Sequence, residues 1–399
     1  MNRRPRLAFL FRYGPAVHAE LFHALPELLR ALSQEADVHY FGLRAKDAPA
    51  VALPPGVTLH ELPWTVDRRD APDKWRKTIR WIAALPSLAR RCRALGMDAV
   101  YLDETLPLAA PLLLRYFGPR VAMTVADFFL QVYGERHLGV RLLRRPVEAV
   151  DFAAWRRLPL IFTRTRACRD HLTQRGIPAE RIHPVYDPCD FTRYRPMDRE
   201  AARRRWGYSP QDIVLVHHGI LHPNKGNDWI IEALRPVWAR HPQVRFLLVG
   251  DGPEMPRLRA LVRRDGLDDR VRLTGWLPSP EEVCSALNAG DIGLVMRRGS
   301  PADHFHVTGA LVHAMACGLP VLAARLAGIA EIVQEDRNGW LFAPTNPDEF
   351  ACKLLAAMAR PDHRRACGRR ALEDARALFT TERAVRETAA PLLELVRRP

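Results

Sequence analysis

A short segment near residue 310 combines three histidines with what reads as the start of a helix. In the run DHFHVTGALVH the histidines are His304, His306 and His313. Imidazole can ligate a metal or exchange a proton near neutral pH, but spacings of two and seven residues are not typical of a metal site, and a polar loop or helix face explains them more simply. Thr308 and Gly309 open the helix, so the free backbone N–H groups of its first turn can hold a diphosphate.

These residues belong to a chain that alternates short apolar runs with longer amphipathic ones. The strand-like runs are residues 6–11, 38–42, 99–103, 121–127, 160–165, 213–219, 244–252, 271–276, 292–296 and 320–324. Helical stretches such as His18 to Ser33 and Trp75 to Leu95 separate them. Strands spaced by helices of this length imply right-handed crossovers and parallel sheets. We therefore predict an α/β fold with two doubly wound domains, whose ligands bind beyond the carboxyl ends of the strands.

The boundary between the domains is also visible in the sequence. Residues 183–200 contain three prolines and no sustained periodicity, which is typical of a connector. We predict an N-terminal domain over residues 1–190 and a C-terminal domain over 191–380, with the ligand in the cleft between them. The last amphipathic run, 381–399, is predicted to be a helix that packs back across the hinge.

The composition is that of a globular protein with a basic excess. The chain has 399 residues and a formal net charge of +15, and residues 1–195 contain 31 Lys and Arg against 20 Asp and Glu. A basic face suggests nucleic acid, an anionic membrane surface or a phosphorylated substrate. A GC-rich genome explains the excess equally well, because only five basic residues are lysine. No basic stretch is interleaved with stacking aromatics, so we expect no nucleic-acid partner.

The location of the protein follows from the same composition. No apolar run approaches the roughly 18 to 20 residues of a membrane span, so we expect a cytoplasmic protein. The segment 75–96 places Trp75, Ile79, Ile82 and Leu85 near one stripe among many arginines, which predicts peripheral docking on anionic lipid or on a lipid-diphosphate acceptor. The alternative is an ordinary crossover helix, which also needs one apolar stripe.

Several segments together resemble one enzyme family. They are TRACRDHLTQRGIPAERIHPVYDPCD, HHGILHPNKGNDWIIEAL, LLVGDGPE, VRLTGWLP and, most closely, AMACGLPVLAARLAGIAEIVQEDRNGWLFAP. The chain resembles the family 4 (group 1) glycosyltransferases from about Asp98 onward, and the similarity is dense in the second domain. This resemblance implies the GT-B architecture, in which two Rossmann-like domains face each other across a cleft, and a nucleotide-sugar donor.

The resemblance also implies the residues of the donor site. Lys225 stands where the family keeps a lysine that contacts the donor phosphate, which implies a catalytic and binding role, although one lysine in a loop can also be a solvated charge. No Asp-x-Asp motif is present to hold a divalent metal, so we expect no metal site and no cofactor, and positive charge with helix ends must stabilise the leaving diphosphate. The donor-binding residues that we predict are Gly14, Gly219, Lys225, Arg297, Thr308, Gly309 and His313.

Departures from the family pattern occur in both domains. The arginine expected beside the lysine is Ile220, and Arg297 or Arg298 can replace its charge unless both are surface residues. The histidine before aspartate near the reacting sugar is Ala126, so Asp127 is the catalytic candidate there, with a helix N-cap as its alternative role. After the first strand the usual double glycine is reduced to Gly14, which would let the ligand approach the backbone.

The largest departure concerns a pair of glutamates that bind the donor in the family. Ungapped alignment places Phe305 and His313 at their positions, and a two-residue insertion would place Asp303 at the first. A carboxylate accepts hydrogen bonds from both ribose hydroxyls, whereas a neutral imidazole accepts one and donates one. We predict that His313 faces the donor and contacts its ribose or a phosphate.

Two functions remain open on the sequence alone. One is a retaining, metal-independent glycosyltransferase that moves a sugar from a nucleotide-diphosphate sugar to an unknown acceptor, with a lipid-linked acceptor as one candidate. The other is a degenerate GT-B protein that binds a nucleotide, glycan or protein partner without turnover. The NKG and AMACG segments favour the first, and the lost arginine, histidine and glutamates favour the second.

Overall fold

The structure is a computed structural model, and it describes residues 3–45, 51–66, 74–126, 128 and 138–398. The chain divides into two compact units, one comprising Met1–Pro188 with Thr381–Pro399 and the other comprising Cys189–Thr380. This division lies two residues before the predicted boundary at 190, and the last helix belongs to the first unit. None of the helices in the described segments is both long and apolar enough to cross a bilayer.

The first unit is built on a parallel sheet with the strand order β3-β2-β1-β4-β5-β6-β7. Its strands are β1 (Arg6–Tyr13), β2 (Asp37–Ala45), β3 (Val57–Val66), β4 (Ala99–Leu102), β5 (Val121–Thr124), β6 (Leu160–Thr163) and β7 (Ile182–Pro184). Its helices are α1 (Pro15–Leu21), α2 (Leu25–Glu35), α3 (Lys74–Ala94), α4 (Ala109–Phe117), α5 (Leu138–Trp155), α6 (Arg166–Gln174) and, from the end of the chain, α15 (Thr381–Arg397).

The helices of the first unit cover the sheet on both faces. On one face α2 packs against α15, and the leucines of their apolar stripes, such as Leu28, Leu32 and Leu392, form one core with β1, β2 and β4. An ion pair between Arg397 and Glu35 joins the same two helices. On the other face α3 packs against α4 and α4 against α5, as expected for successive right-handed crossovers.

The second unit is built on a parallel sheet with the order β10-β9-β8-β11-β12-β13. Its strands are β8 (Ile213–His218), β9 (Val244–Val249), β10 (Val271–Leu273), β11 (Ile292–Val295), β12 (Val321–Ala324) and β13 (Gly339–Phe342). Its helices are α7 (Arg199–Trp206), α8 (Asn227–Arg240), α9 (Met255–Arg264), α10 (Pro280–Asn288), α11 (Gly309–Ala316), α12 (Ala327–Ala330), α13 (Pro347–Ala359) and α14 (Pro361–Leu378). Both sheets confirm the predicted α/β class.

Some elements differ from the sequence prediction. The strands β3, β7 and β13 were not predicted, and each of them is the last strand at one edge of its sheet. An edge strand pairs on one side only and can contain proline, as β3 does at Pro63 and β7 at Pro184. The strand β13 is apolar and fully buried, but it has only four residues. The helix predicted over residues 18–33 is two helices, because the chain turns at residues 22–24 before Pro26 starts α2.

A buried carboxylate ties the beginning of β11 to two helices of the second unit. Asp291 accepts hydrogen bonds from the backbone N–H of Val214 at 2.9 Å and from Arg364 Nη2 at 3.3 Å, and it also pairs with Arg199 and Arg203. Arg203 and Arg364 are themselves buried. Asp291 is therefore the main carboxylate that compensates their positive charges, and Asp212 contributes at Arg203.

We expect Asp291→Ala to lower the free energy of unfolding by about 3–5 kcal/mol, because it leaves buried guanidinium groups without their main charge partner. Urea denaturation followed by circular dichroism measures the change. The control is Asp268→Ala at an exposed position, which should change stability by less than about 0.5 kcal/mol. An unchanged urea midpoint for Asp291→Ala would show that the arginines do not need this partner.

Candidate functional site

The predicted donor-binding residues of the second unit gather where its strand order reverses. From β8 the chain continues to β9 and β10 on one side, whereas β11, β12 and β13 follow on the other side of β8. In doubly wound sheets this reversal opens a crevice at the carboxyl ends of the two central strands. Gly219 directly follows β8 and Arg297 follows β11, so both lie at this edge.

Gly219 has a backbone conformation that favours glycine, with φ at +129°. A Cβ placed on it would meet no atom within 4 Å, so the space beside its α-carbon is open. The loop behind it is tight, because a Cβ on Gly250 would lie 2.1 Å from the Gly219 carbonyl oxygen. The backbone of residue 219 is thus held from one side and accessible from the other.

Lys225 lies in a short 3₁₀ turn, Pro223–Lys225, between β8 and α8. Arg298 holds this turn by donating from Nε to the Pro223 carbonyl at 2.9 Å and from Nη2 to Asp228 Oδ1 at 2.6 Å. Gly226 follows in the left-handed region at φ +59° and packs against Met296. Arg298 therefore stabilises the turn. Of the two candidate arginines, Arg297 is the one whose guanidinium makes fewer hydrogen bonds.

Two positive charges lie close together at the site. Lys225 is half-buried, and burial, together with the neighbouring Arg297 cation, lowers its pKa to about 7 against a weaker opposite effect of Asp303. Arg297 Nη1 donates to Asp303 Oδ1 at 2.8 Å. An anion bound between Lys225 and Arg297 would relieve their repulsion. The arrangement is thus suited to binding a phosphate or diphosphate.

Asp303 is buried and hydrogen-bonded within its own turn. Its side chain is only 3% exposed, and besides Arg297 it accepts from the Ser300 hydroxyl at 2.8 Å and from the Ser300 N–H at 3.0 Å. Whether an insertion places Asp303 at the first glutamate position stays a prediction, but its carboxylate oxygens are already engaged by Arg297 and Ser300. Asp303 instead orients Arg297 and closes the turn in which it lies.

The N-terminus of α11 is formed as the sequence predicted. Thr308 is the N-cap, and its hydroxyl accepts from the Leu311 N–H at 3.4 Å. Gly309, the first helical residue, is exposed. The ring of His313 lies back over this turn, since a Cβ on Gly309 would be 3.4 Å from His313 Cε1. The imidazole thus stands beside the backbone N–H groups that were predicted to hold a diphosphate.

His313 is fixed by two aromatic neighbours that the sequence did not reveal. Its ring stacks on Tyr194 with centroids 3.6 Å apart and planes at 9°, and its Nδ1 lies 3.1 Å from His218 Nε2. Burial lowers the pKa of His218 to about 4, so His218 is neutral at pH 7. His218 also forms a hydrogen bond with the backbone of Gly309, and the nearby charge of Lys225 lowers the pKa of His218 further. All three of the predicted site residues His313, Gly309 and Lys225 therefore lie close to His218.

Buried polar atoms without a hydrogen-bond partner also occur at this edge. In the described part of the chain they include His217 Nε2, Arg297 Nε and both amide atoms of Asn227. His217 and Asn227 are almost fully buried. Such atoms cost free energy unless a partner reaches them, and a polar ligand can supply one.

The three histidines around the helix start do not form a metal site. His304 Nδ1 accepts from the Ala327 N–H at 3.3 Å, and His313 points to Tyr194 and His218 as described. Among the residues that the structure describes, no group of three or more His, Cys, Asp or Glu could hold a metal ion.

Of the two site residues predicted in the N-terminal domain, the structure describes Gly14 but not Asp127. Gly14 lies in the first unit with φ −63°, and its N–H donates to the Leu43 carbonyl at 2.7 Å. Gly14 therefore approaches the end of β2 closely. Its backbone conformation is one that residues other than glycine also adopt. Asp127 lies outside the described residues, and its predicted role remains untested.

A buried polar cluster in the first unit was missed by sequence reasoning. Asp103, directly after β4, accepts from Tyr101 Oη at 2.6 Å, Thr124 Oγ1 at 2.7 Å and Arg164 Nη2 at 3.1 Å, and lies 3.3 Å from His18 Nε2. Burial alone would raise the pKa of Asp103, but Arg164 and His18 lower it to about 2. The ionised carboxylate joins β4, β5 and α1 to Arg164 after β6. The signal in the sequence that could have identified Asp103 was its position at the end of a predicted strand.

Comparison with solved structures identifies the fold. Sucrose-phosphate synthase from Thermosynechococcus elongatus superposes with a TM-score of 0.74 at 19% identity, covering 98% of this chain and 99% of that one. The Anabaena protein HepE in complex with UDP gives 0.69 at 20% identity, covering 97% and 99%. The chain has the two-domain GT-B fold of glycosyltransferases, as its sequence predicted.

The family match is concentrated in the second unit. Residues 212–360 match the family described as glycosyl transferases group 1. A curated relative, D-inositol 3-phosphate glycosyltransferase from Segniliparus rotundus, is 30% identical over 204 residues, which are 50% of this chain and 44% of that protein. The chain thus spans about half the length of the curated relatives that it matches first. The resemblance read from the motifs is confirmed, and the matched residues make up most of the second unit.

The lowered pKa of Lys225 predicts how nucleotide binding depends on pH. Only the ammonium form attracts a diphosphate, and it is lost as pH rises through about 7. We expect affinity for UDP, or for whichever nucleoside diphosphate binds, to fall about tenfold between pH 7 and 8.5, as measured by calorimetry. Lys225→Met should bind more weakly and lose this pH dependence.

The matched control is Lys353→Met, which removes a lysine of the same unit that pairs with Glu335 on the surface. It should leave both the affinity and the pH dependence unchanged. A Lys225→Met protein with the pH profile of the wild type would show that Lys225 does not contact the phosphates.

Proposed function

We propose that this protein is a glycosyltransferase that moves a sugar from a nucleotide-diphosphate sugar to an acceptor hydroxyl, with retention of configuration and without a metal ion. One observation carries the proposal. In a unit that mostly matches the group 1 glycosyltransferases, the paired cations Lys225 and Arg297 lie at the reversal of strand order, with His218 linking Lys225 to the first turn of α11. The UDP bound to the related fold of HepE is consistent with such a donor.

The chemistry requires stabilisation of the leaving group. When the bond between the anomeric carbon and the diphosphate breaks, negative charge develops on the phosphate oxygen that departs. The ammonium of Lys225, the guanidinium of Arg297 and the N–H groups at Gly309 are fixed before the reaction and can stabilise that charge. These two cations are the basis for proposing that no metal is needed.

The position of His313 supports a donor site that is altered rather than lost. Its stacking on Tyr194 and its hydrogen bond with His218 hold the ring beside the helix start. From there it can contact a phosphate or a ribose hydroxyl, but it cannot accept two hydroxyl donors as a carboxylate does. We infer a donor recognised mainly through its diphosphate.

The acceptor and the retaining course rest on the family resemblance. We propose that the first unit binds the acceptor, of which a lipid-linked molecule is one candidate, and that Asp127 orients the reacting hydroxyl. Lys225 would serve both binding and catalysis, since it acts on the leaving group itself. Peripheral membrane contact would fit a lipid-linked acceptor.

A second candidate function is binding without turnover. Ile220, at the position of the family's arginine, has a side chain that is 57% exposed, and the carboxylate of Asp303 is committed to Arg297 and Ser300. Both features remove groups that would hold the donor. A protein of this kind would bind a nucleotide and leave its sugar bond intact.

The deciding experiment is a turnover assay across UDP-, GDP- and ADP-sugars, with release of the nucleoside diphosphate as the readout. Hydrolysis or transfer from one donor class that is abolished in Lys225→Met supports the enzyme. Tight binding of a nucleotide by calorimetry with no release from any donor would favour the binding protein.

We expect His313→Ala to weaken nucleoside diphosphate binding about tenfold at pH 6 and less at pH 8, because a phosphate beside the imidazole favours its protonated form. Calorimetric titration of UDP, GDP and ADP into both proteins measures this. The control is His241→Ala, at the C-terminal end of α8, which should bind like the wild type. Equal affinities for His313→Ala and the wild type at both pH values would exclude a ligand contact.

A further inference from the structure

Two buried thiols of the second unit are in contact with each other. Cys284 lies on α10 and Cys317 directly follows α11, and their sulfur atoms are 3.8 Å apart. Both are free thiols, and they are 33 positions apart in the sequence, so no local motif reveals the pair. Contact between two thiols is the arrangement from which a disulfide forms.

The surroundings of Cys284 favour its thiolate over that of Cys317. The hydrogen bond from Cys317 lowers the pKa of Cys284 to about 6 against the effect of burial, and the positive charge of Arg195 and a bond from Asn288 Nδ2 at 3.5 Å lower it further. The same contact, together with burial, raises the pKa of Cys317 well above its ordinary value. Cys284 is therefore the nucleophilic sulfur of the pair, and Cys317 is the one that keeps its proton.

The two thiols are covered by one short segment of chain. Cys284 is 1% exposed and Cys317 is 5% exposed. The carbonyl of Arg195 accepts from Cys284 Sγ at 3.4 Å and from Asn288 Nδ2 at 3.0 Å, and Asn288 Oδ1 accepts from the Met197 N–H at 2.8 Å. Residues 195–197 are themselves exposed. A small oxidant therefore reaches the sulfurs when these few bonds open, without unfolding of the unit.

The same elements carry both members of the aromatic stack beside the helix start. Tyr194 is the chain neighbour of Arg195, whose carbonyl holds Cys284. Cys317 lies one helical turn after His313, and its N–H donates to the His313 carbonyl at 3.0 Å. The ring of Tyr194 stacks on His313 with centroids 3.6 Å apart. Movement of either sulfur therefore acts on the backbone that supports this stack.

We propose that Cys284 and Cys317 form a site of reversible oxidation, at which a peroxide converts the two thiols into a disulfide and thereby disturbs the stack of Tyr194 on His313. The sulfurs of a disulfide are about 2.05 Å apart, so these two must approach each other by about 1.8 Å. The oxidation itself is independent of the proposed function, whereas its effect on a nucleotide rests on that function.

The reaction balances with one peroxide for each pair of thiols. The thiolate of Cys284 attacks one peroxide oxygen, the O–O bond breaks, and the hydroxide that leaves takes a proton to become water. The sulfur of Cys317 then attacks the sulfenic acid on Cys284, the S–S bond forms, and the S–O bond breaks with release of a second water as the Cys317 proton is transferred. The two thiols lose two hydrogen atoms in total and the peroxide is reduced.

The test of the oxidation is peptide mass spectrometry of the full-length protein, treated with hydrogen peroxide, blocked with N-ethylmaleimide and digested without reductant. We expect a peptide with Cys284 linked to one with Cys317, lighter by two hydrogen atoms than the separate peptides and separated again by dithiothreitol. Cys284→Ala and Cys317→Ala should each abolish the linked species. The matched control is Cys352→Ala, which removes an exposed thiol of the same unit and should leave it unchanged.

Three results would overturn the oxidation site. They are a disulfide that contains Cys189, a sulfinic acid on Cys284 without the link, and intact Cys284 and Cys317 under conditions that oxidise Cys352. Cys189 is the internal competitor, because it is a buried thiol of the same unit. Burial, followed by the charges of Asp190 and Cys284, raises its pKa to about 12, so we expect it to remain reduced.

Calorimetric titration of UDP, GDP and ADP tests the effect on the stack. Oxidised wild type should bind the nucleoside diphosphate about tenfold more weakly than the reduced protein, with recovery after dithiothreitol and no change on peroxide treatment of Cys284→Ala. Unchanged affinity in protein whose disulfide has been mapped would overturn the link to the stack. Absence of binding by the reduced protein would overturn the proposed function, whereas the mapped disulfide would still establish the oxidation site.

Discussion

The proximity of two positive charges, Lys225 and Arg297, is the constraint on which the donor edge of the second unit depends. Two cations repel each other more strongly when they are partly removed from water. Burial of Lys225, and after it the repulsion by Arg297, lowers the pKa of Lys225 to about 7. Asp303 compensates part of it through Arg297, and Arg298 holds the Lys225 turn from the other side by its bonds to Pro223 and Asp228. The local structure is thus arranged to maintain a positive site that an anion would relieve.

The replacement of a carboxylate by His313 follows the same logic. A carboxylate at that position would neutralise part of this charge, whereas an imidazole held by Tyr194 and His218 does not. In the donor site that we propose, more positive potential therefore remains for the diphosphate, and the bidentate acceptor for the ribose is absent. Loss of one recognition group and strengthening of another are compatible with the same fold.

The first unit shows how a helix sequence can be misread when its partners are unknown. Both α3 and α5 are amphipathic and basic, and the sequence left α3 open between a membrane-facing helix and an ordinary crossover helix. In the structure the apolar side of α3 packs against the sheet, whereas α5 has apolar residues on both its inner and outer sides. Periodicity gives the direction of an apolar stripe around one helix, but only the packing of neighbours determines whether that stripe is covered.

The sequence by itself determined the alternation of strands and helices, the parallel sheets, the family resemblance and the placement of Lys225, Thr308 and Gly309 at the ends of elements. These features depend on local propensity and on motifs whose residues are neighbours in the chain. The edge strands, the sequestration of Asp303 and the contacts of Tyr194 and His218 with His313 were decided only by tertiary structure. Each depends on residues far apart in sequence that meet at one edge of a sheet, and no local pattern records which side chain will arrive there.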